Sequence, residues 1–249
     1  MSGHSKWHSI KHKKGAADAA RGKLFAVLIR QIEIAARTGG GDPASNATLR
    51  SMVQKARDNS LPVDTIQRAI KRGSGEEEGV IYESVSYEGY AASGVAVIVQ
   101  ALTDNRNRTS AEIKNIFSRN GGSFAEPGAV SWQFERKGIV QVDRAVDEDE
   151  LMLAAADAGA EDIEDLGDHW QVTTPPTELH AVRTAIEEAG MKVKSSDLTM
   201  IPTTSVALDQ EDKAKSVLRL MDALEDHDDV EAVYANFDIP DAVLEAVSA

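Results

Sequence analysis

Ile139-Val140-Gln141-Val142 reads as a strand, and Asp147 to Ala158, which follows it, reads as a helix. Asp162 to Leu166 and His169 to Thr173 read as two further strands, Thr177 to Ala189 as a second helix and Lys192 to Met200 as a last strand. The resulting order, βαββαβ, is a complete ferredoxin-like unit, two split βαβ halves in one antiparallel sheet. A finished domain over residues 135–202 forces the pieces on either side of it to pair with each other. Upstream lie strand-like Val80 to Tyr87, the nearly continuous apolar run Gly94 to Leu102, a helix over Arg108 to Asn120 and a short strand over Val130 to Phe134. The apolar run suits a central strand buried on both faces. Downstream come Thr204 to Ala207 (strand), Lys213 to Leu224 (helix), Val230 to Tyr234 (strand) and a short helix after Pro240. The expectation is a discontinuous α+β domain, residues 76–134 with 203–249, into which the ferredoxin-like domain is inserted.

Residues 1–75 have a different texture. Ala16 to Arg37 carries Leu24, Leu28, Ile32 and Ala35 at helical spacing, with Lys23, Arg30 and Arg37 every seven residues on another face. Gly39-Gly40-Gly41 ends it, and Asp42-Pro43 is a start signal for a second helix holding Leu49, Met52, Val53 and Ala56 inward. Pro62 opens a third with Ile66, Ala69 and Ile70 inward, for which Gly73 is the predicted stop. Gly73-Ser74-Gly75-Glu76-Glu77-Glu78-Gly79 then reads as a linker. The whole is an α+β chain of three domains, helical, discontinuous α+β and ferredoxin-like.

The chain of 249 residues has a net charge of −14, and that figure hides an asymmetry. Residues 1–75 hold 14 Lys and Arg against 5 Asp and Glu, a net of +9, which leaves 13 against 36, a net of −23, for the rest. Binding to a polyanion responds to the local field within a Debye length of about 10 Å, so a basic head on an acidic body confines such contact to one end. The chain has no cysteine, which removes disulfides, thiolate zinc sites and thiol nucleophiles and fits a reducing compartment. No secretory signal or membrane span is visible, and a cytoplasmic location is the expectation.

The most basic segment is Gly3 to Lys14, with four lysines, three histidines and Trp7 in twelve residues and no acidic group. Its ammonium groups repel one another and have almost no apolar surface to offset desolvation, so the arm calls for a polyanionic partner. Lys6, Lys11, Lys13 and Lys14 can neutralise phosphates, with Arg21 and Lys23 on the following helix, while Trp7 can stack on an unpaired base and His12 can contact phosphate or base. His4, His8 and His12 recur every four residues, but the neighbouring lysines repel a divalent ion, and no metal or other cofactor is expected. No phosphate-binding Gly-Lys-Ser/Thr loop, zinc-protease helix or serine-nucleophile elbow is present, and no enzymatic activity is expected.

Gly3 to Lys14 running into Asp18-Ala19-Ala20-Arg21-Gly22-Lys23, Gly39-Gly40-Gly41-Asp42-Pro43, Lys71-Arg72-Gly73-Ser74-Gly75-Glu76, Leu102 to Thr109 and Leu224 to Val230 resemble the YebC/PmpR family, in the same order over essentially the whole chain. The resemblance implies a non-enzymatic three-domain protein whose main ligand is nucleic acid. That ligand is promoter DNA for members assigned to transcription, and ribosomal RNA for members assigned to the ribosome, where they relieve stalled translation at stretches such as consecutive prolines. A mitochondrial translational activator of cytochrome c oxidase belongs to the same family. The sequence departs from the family pattern at Ala91-Ala92-Ser93-Gly94, where Gly-Pro-Gly-Gly is usual, at Phe124-Ala125, where Leu-Gly is commoner, and at His8, where Ala is usual.

Three further groups have two readings each. Asp104-Asn105-Arg106-Asn107-Arg108-Thr109, between a central strand and a helix, reads as a phosphate grip using Arg106 and Arg108 and equally as a capping turn, and the two are compatible. Glu225-Asp226-His227-Asp228-Asp229 lacks the ligand spacing of a calcium loop and reads as a solvated, self-repelling turn. Trp132 and Trp170 sit in strand-like runs, which places them in the core or on a sheet face in preference to a stacking surface.

Overall fold

Leu28, Ile32 and Ala35 are buried on one side of α1 (Ala17–Gly39), but Leu24, expected on the same face, is 37% exposed. The computed structural model describes residues 17–248. The next helix, α2 (Ala47–Asp58), starts later than Asp42-Pro43 suggests. Asp42 instead closes a turn, its Oδ1 accepting from the Ala44 N–H, and Asn46 is the cap, accepting from the Leu49 N–H at 3.0 Å. The Asn46 amide also donates to the carbonyls of Ala35 and Gly40, so one buried side chain ties the end of α1 to the start of α2.

The third helix, α3 (Val63–Ser74), runs through Gly73 and ends on Gly75, which takes the left-handed conformation at φ 85°. Gly73 has a packing role. A Cβ there would lie 2.4 Å from the Glu33 carbonyl oxygen and 2.8 Å from the Ala36 Cβ, so its absence lets α1 and α3 touch. Beside this contact the buried Glu33 carboxylate receives the Arg72 guanidinium at 2.6 and 2.7 Å.

The first sheet has the order β3-β1-β2-β9, built from β1 (Glu83–Tyr90), β2 (Ala96–Thr103), β3 (Ser123–Ala125) and, from the far end of the chain, β9 (Val230–Ala235). The apolar run is indeed a central strand, with antiparallel neighbours on both sides. Val97, Val99 and Ala101 pack against Ile113 and Phe117 of α4 (Arg106–Arg119) and Leu220, Met221 and Leu224 of α7 (Glu211–Glu225). A two-residue parallel pair, β8 (Val206–Ala207) with β10 (Phe237–Asp238), and the terminal α8 (Asp241–Ser248) complete this core.

The second sheet has the order β5-β6-β4-β7, from β4 (Phe134–Asp143), β5 (Asp162–Asp165), β6 (His169–Thr174) and β7 (Val193–Pro202). That order, with α5 (Glu148–Asp157) and α6 (Leu179–Glu188) supplying Leu151, Ala155, Val182 and Ile186 to a core with Val140, Val142, Trp170 and Val172, is the ferredoxin-like arrangement. Asp147 caps α5 by accepting from the N–H groups of Asp149 and Glu150. Residues 130–134 depart from expectation. Ser131–Gln133 form a 3-10 turn, and the strand begins at Phe134.

The chain divides into two compact units, one comprising residues to Val53, Leu61–Phe134 and Pro202 onward, the other Gln54–Ser60 with Glu135–Ile201. Among the described residues no helix is long and apolar enough to cross a membrane.

Candidate nucleic-acid interface

Lys23, Arg30 and Arg37 share a stripe of α1, yet the structure uses them differently. Glu225 ends α7, and the last carbonyls of a helix have no partner within it and carry the negative end of its dipole. The Lys23 ammonium supplies that partner, donating to the Glu225 carbonyl and, at 2.7 Å, to that of His227. Arg30 donates to the Asp228 carbonyl at 2.8 Å, lies 3.8 Å from an Asp229 carboxylate oxygen and stacks on Tyr82 with 5.2 Å to the ring centre. Arg37, in the last turn, is exposed. The side chains of Arg68 and Lys71, three residues apart on α3, are exposed too. None of Arg37, Arg68 and Lys71 has an ion-pair partner among the described residues.

The 104–109 loop is a capping turn. Asn105 Oδ1 accepts from the Arg108 N–H at 3.1 Å, and the Thr103 hydroxyl accepts from the Asn105 N–H at 2.9 Å. Arg108 bridges Asp104 at 3.0 Å and Asp229 at 2.8 Å, and Thr109 donates to the same Asp229 oxygen at 2.6 Å. Burial opposes ionisation of Asp229, but the bonds from Thr109 and Arg108 outweigh it and hold the carboxyl below the usual range. Arg106 is exposed, while its carbonyl accepts from the Tyr87 hydroxyl at 3.4 Å.

The acidic turn is thus not the solvated, self-repelling segment its composition suggests. Asp229 is 7% exposed, and the turn is where α1 docks. Glu112, His227 and Asp229 bring ligand atoms within 4.8 Å of one another, a spacing that suits a metal ion. The lone pairs are already used: His227 Nδ1 accepts from the Asp229 N–H, Nε2 pairs with Glu112 at 2.9 Å, and Asp229 holds a guanidinium. A divalent cation does not fit beside Arg108 and Arg30.

Of the residues singled out in the sequence, Lys6, Trp7, Lys11, His12, Lys13 and Lys14 lie outside the described residues. Arg21 is exposed and stacks on Phe25 at 5.6 Å, whereas Lys23 and Arg108 serve the fold. Trp170 is buried, as expected, with its Nε1 donating to the Val146 carbonyl and the Arg144 guanidinium 4.3 Å above the ring. Trp132 is not: it is 72% exposed. The turn signal Pro127-Gly128 four residues upstream was the only hint that a strand did not yet run there.

A basic helical region joined to two sheet-built α+β regions, with exposed cations on the helices and acidic groups bracing them, defines the class. A profile described as the TACO1/YebC protein N-terminal domain matches residues 5–76, and one described as the TACO1/YebC second and third domain matches residues 82–237. A protein of Salinispora arenicola named a probable transcriptional regulatory protein is 54% identical over 246 residues, covering 98% of each chain. One of the same name in Thermobifida fusca is 54% identical over 250 residues, covering both chains in full. The crystal structure of a conserved hypothetical protein from Aquifex aeolicus superposes with a TM-score of 0.84 at 45% identity, covering 93% of this chain and 96% of that one. The chain belongs to the TACO1/YebC family.

Proposed function

We propose that this protein is a non-enzymatic regulator of gene expression that binds nucleic acid through its basic arm and the outer faces of α1 and α3. The observation that carries the reading is the division of labour among cations. Lys23, Arg30, Arg72 and Arg108 are held by internal acceptors, whereas Arg37, Arg68 and Lys71 face solvent with no acidic partner among the described residues, which adds exposed positive charge on the helices to that of Arg21 and of the lysines in the basic sequence before them. The relatives' names point to transcription, which makes promoter DNA the first ligand to test. Structured RNA, including the ribosome, is the second, favoured by an arm rich in lysine with one stacking ring. Crosslinking in cells separates the two: recovery of promoter fragments supports the first and recovery of ribosomal RNA the second. A Lys11→Glu/Lys13→Glu variant that crosslinks as well as the parent protein would overturn both.

A further inference from the structure

Trp132 stands on a loop that is braced from beneath. The buried Glu88 carboxylate accepts three backbone N–H bonds, from Gly128 at 2.8 Å through Oε1 and from Val130 at 2.6 Å and Ser131 at 3.0 Å through Oε2. Those bonds hold the Glu88 carboxyl below its usual range against the opposing effect of burial. The Tyr90 hydroxyl donates to the Ala129 carbonyl at 3.0 Å, the Gln133 carbonyl accepts from the Thr203 N–H at 2.8 Å, and the Gln133 amide oxygen accepts from Asn236. The indole itself is oriented by its Nε1–H, which donates to the Ala129 carbonyl at 3.1 Å. An exposed tryptophan commonly keeps its polar N–H in water and hides its carbon surface. Here the N–H is satisfied by the loop's own backbone while the residue is 72% exposed.

We propose that Trp132 is a stacking shelf for an unpaired base of the bound nucleic acid, a contact separate from the basic arm and helices. The inference rests on the nucleic-acid reading above and narrows its ligand to a strand with at least one unstacked base. Two features favour a base over a protein surface. Among the described residues, the other exposed large apolar side chains, Leu24, Val63, Val80, Ile81, Met152 and Leu153, belong to other segments of the sequence, so the Trp132 loop lacks a run of apolar side chains of its own to form an interface core. The side chains bonded at the loop, Tyr90, Thr203, Gln133 and Asn236, are neutral hydroxyls and amides, and the Glu88 carboxylate beneath it is buried with its charge met by three backbone N–H groups. With the loop and ring fixed beforehand, stacking orders little that is not already ordered.

The test uses the full chain and fluorescein-labelled 12-nucleotide RNA, single-stranded or annealed to its complement, read by anisotropy over a salt series. Stacking of one base predicts that Trp132→Ala weakens single-strand binding roughly 5- to 150-fold, leaves duplex binding within about twofold and leaves the salt slope unchanged. Trp132→Phe should recover most of the loss, and both variants should unfold within about 2 °C of the parent protein. Unchanged single-strand affinity in Trp132→Ala, while Lys11→Glu/Lys13→Glu loses it, overturns the shelf and leaves the nucleic-acid reading standing. Failure of the parent protein to bind either RNA or a matching DNA overturns both. Loss of cellular activity in Trp132→Ala with RNA affinity intact would assign the ring to a protein partner and likewise overturn the proposal.

Discussion

Replacing Glu88 with glutamine is the most informative single change, because it alters charge and one acceptor while keeping shape. The carboxylate serves three N–H donors, one through Oε1 and two through Oε2. A glutamine offers one oxygen and one NH2. Turned the better way it satisfies Val130 and Ser131 and presents two hydrogens to the Gly128 N–H; turned the other way it strands both of the former. At least one donor is therefore unmade, and the bonds that remain lose their charge assistance. An unsatisfied buried donor costs about 1–3 kcal/mol, and a charge-assisted bond is about twice as strong as a neutral one, so the loss should be about 2–4 kcal/mol. For a chain of this size that is a fall in Tm of about 4–15 °C, measurable by circular dichroism. The pH dependence supplies a second signature. Because the folded carboxyl is held below its ordinary value, its contribution is complete above the unfolded-state pKa of about 4.3 and is lost as pH falls through the lower folded-state value. The gap between parent and variant should therefore be constant from about pH 6 to 8 and shrink below about pH 4.3. Equal midpoints at pH 7, or a gap that persists unchanged in acid, would refute the idea that the carboxylate charge secures the loop.

Gly73→Ala should destabilise by about 1–3 kcal/mol in urea unfolding, since the new methyl meets the backbone oxygen of Glu33 and α1 and α3 must part. Ser93→Gly should do the reverse, raising stability by about 1 kcal/mol, because Ser93 holds φ at 63°, where an L side chain is strained and glycine is not. Asp229→Asn removes the charge that receives Arg108 and lies beside Arg30, and should cost about 2–3 kcal/mol in the same assay. If about six phosphates are engaged, the log–log salt slope should be about −5 on duplex and about −4 on single strand; a slope near zero would remove the electrostatic basis of the proposed function.

Much of this molecule is legible locally. The order βαββαβ follows from alternation and helical spacing over residues 139–200, and Gly94 to Leu102 announces a central strand because only a strand covered on both faces tolerates so unbroken an apolar run. The errors fall where a residue's partner is remote. Gly73 looks like a helix stop and is a contact with Glu33, forty residues earlier in the chain; the stop is Gly75. Val130 to Phe134 has strand composition, yet Glu88 gathers the N–H groups of Gly128, Val130 and Ser131, and that three-bond claim curls the segment into a turn.

The candidate site divides along the same line. Charge is a property of the residue itself, so the basic head and acidic body were visible without coordinates. Availability is not. Lys23 and Arg37 lie two heptads apart on one helix, equivalent in any periodic reading, but only Lys23 finds the Glu225 carbonyl at the end of α7 and that of His227 just beyond it, some two hundred residues away. Whether a cation braces the fold or remains for a ligand, and whether an indole fills a core or stands in water, depends on which distant polar groups the tertiary structure brings within about 3 Å, a distance that local periodicity does not encode.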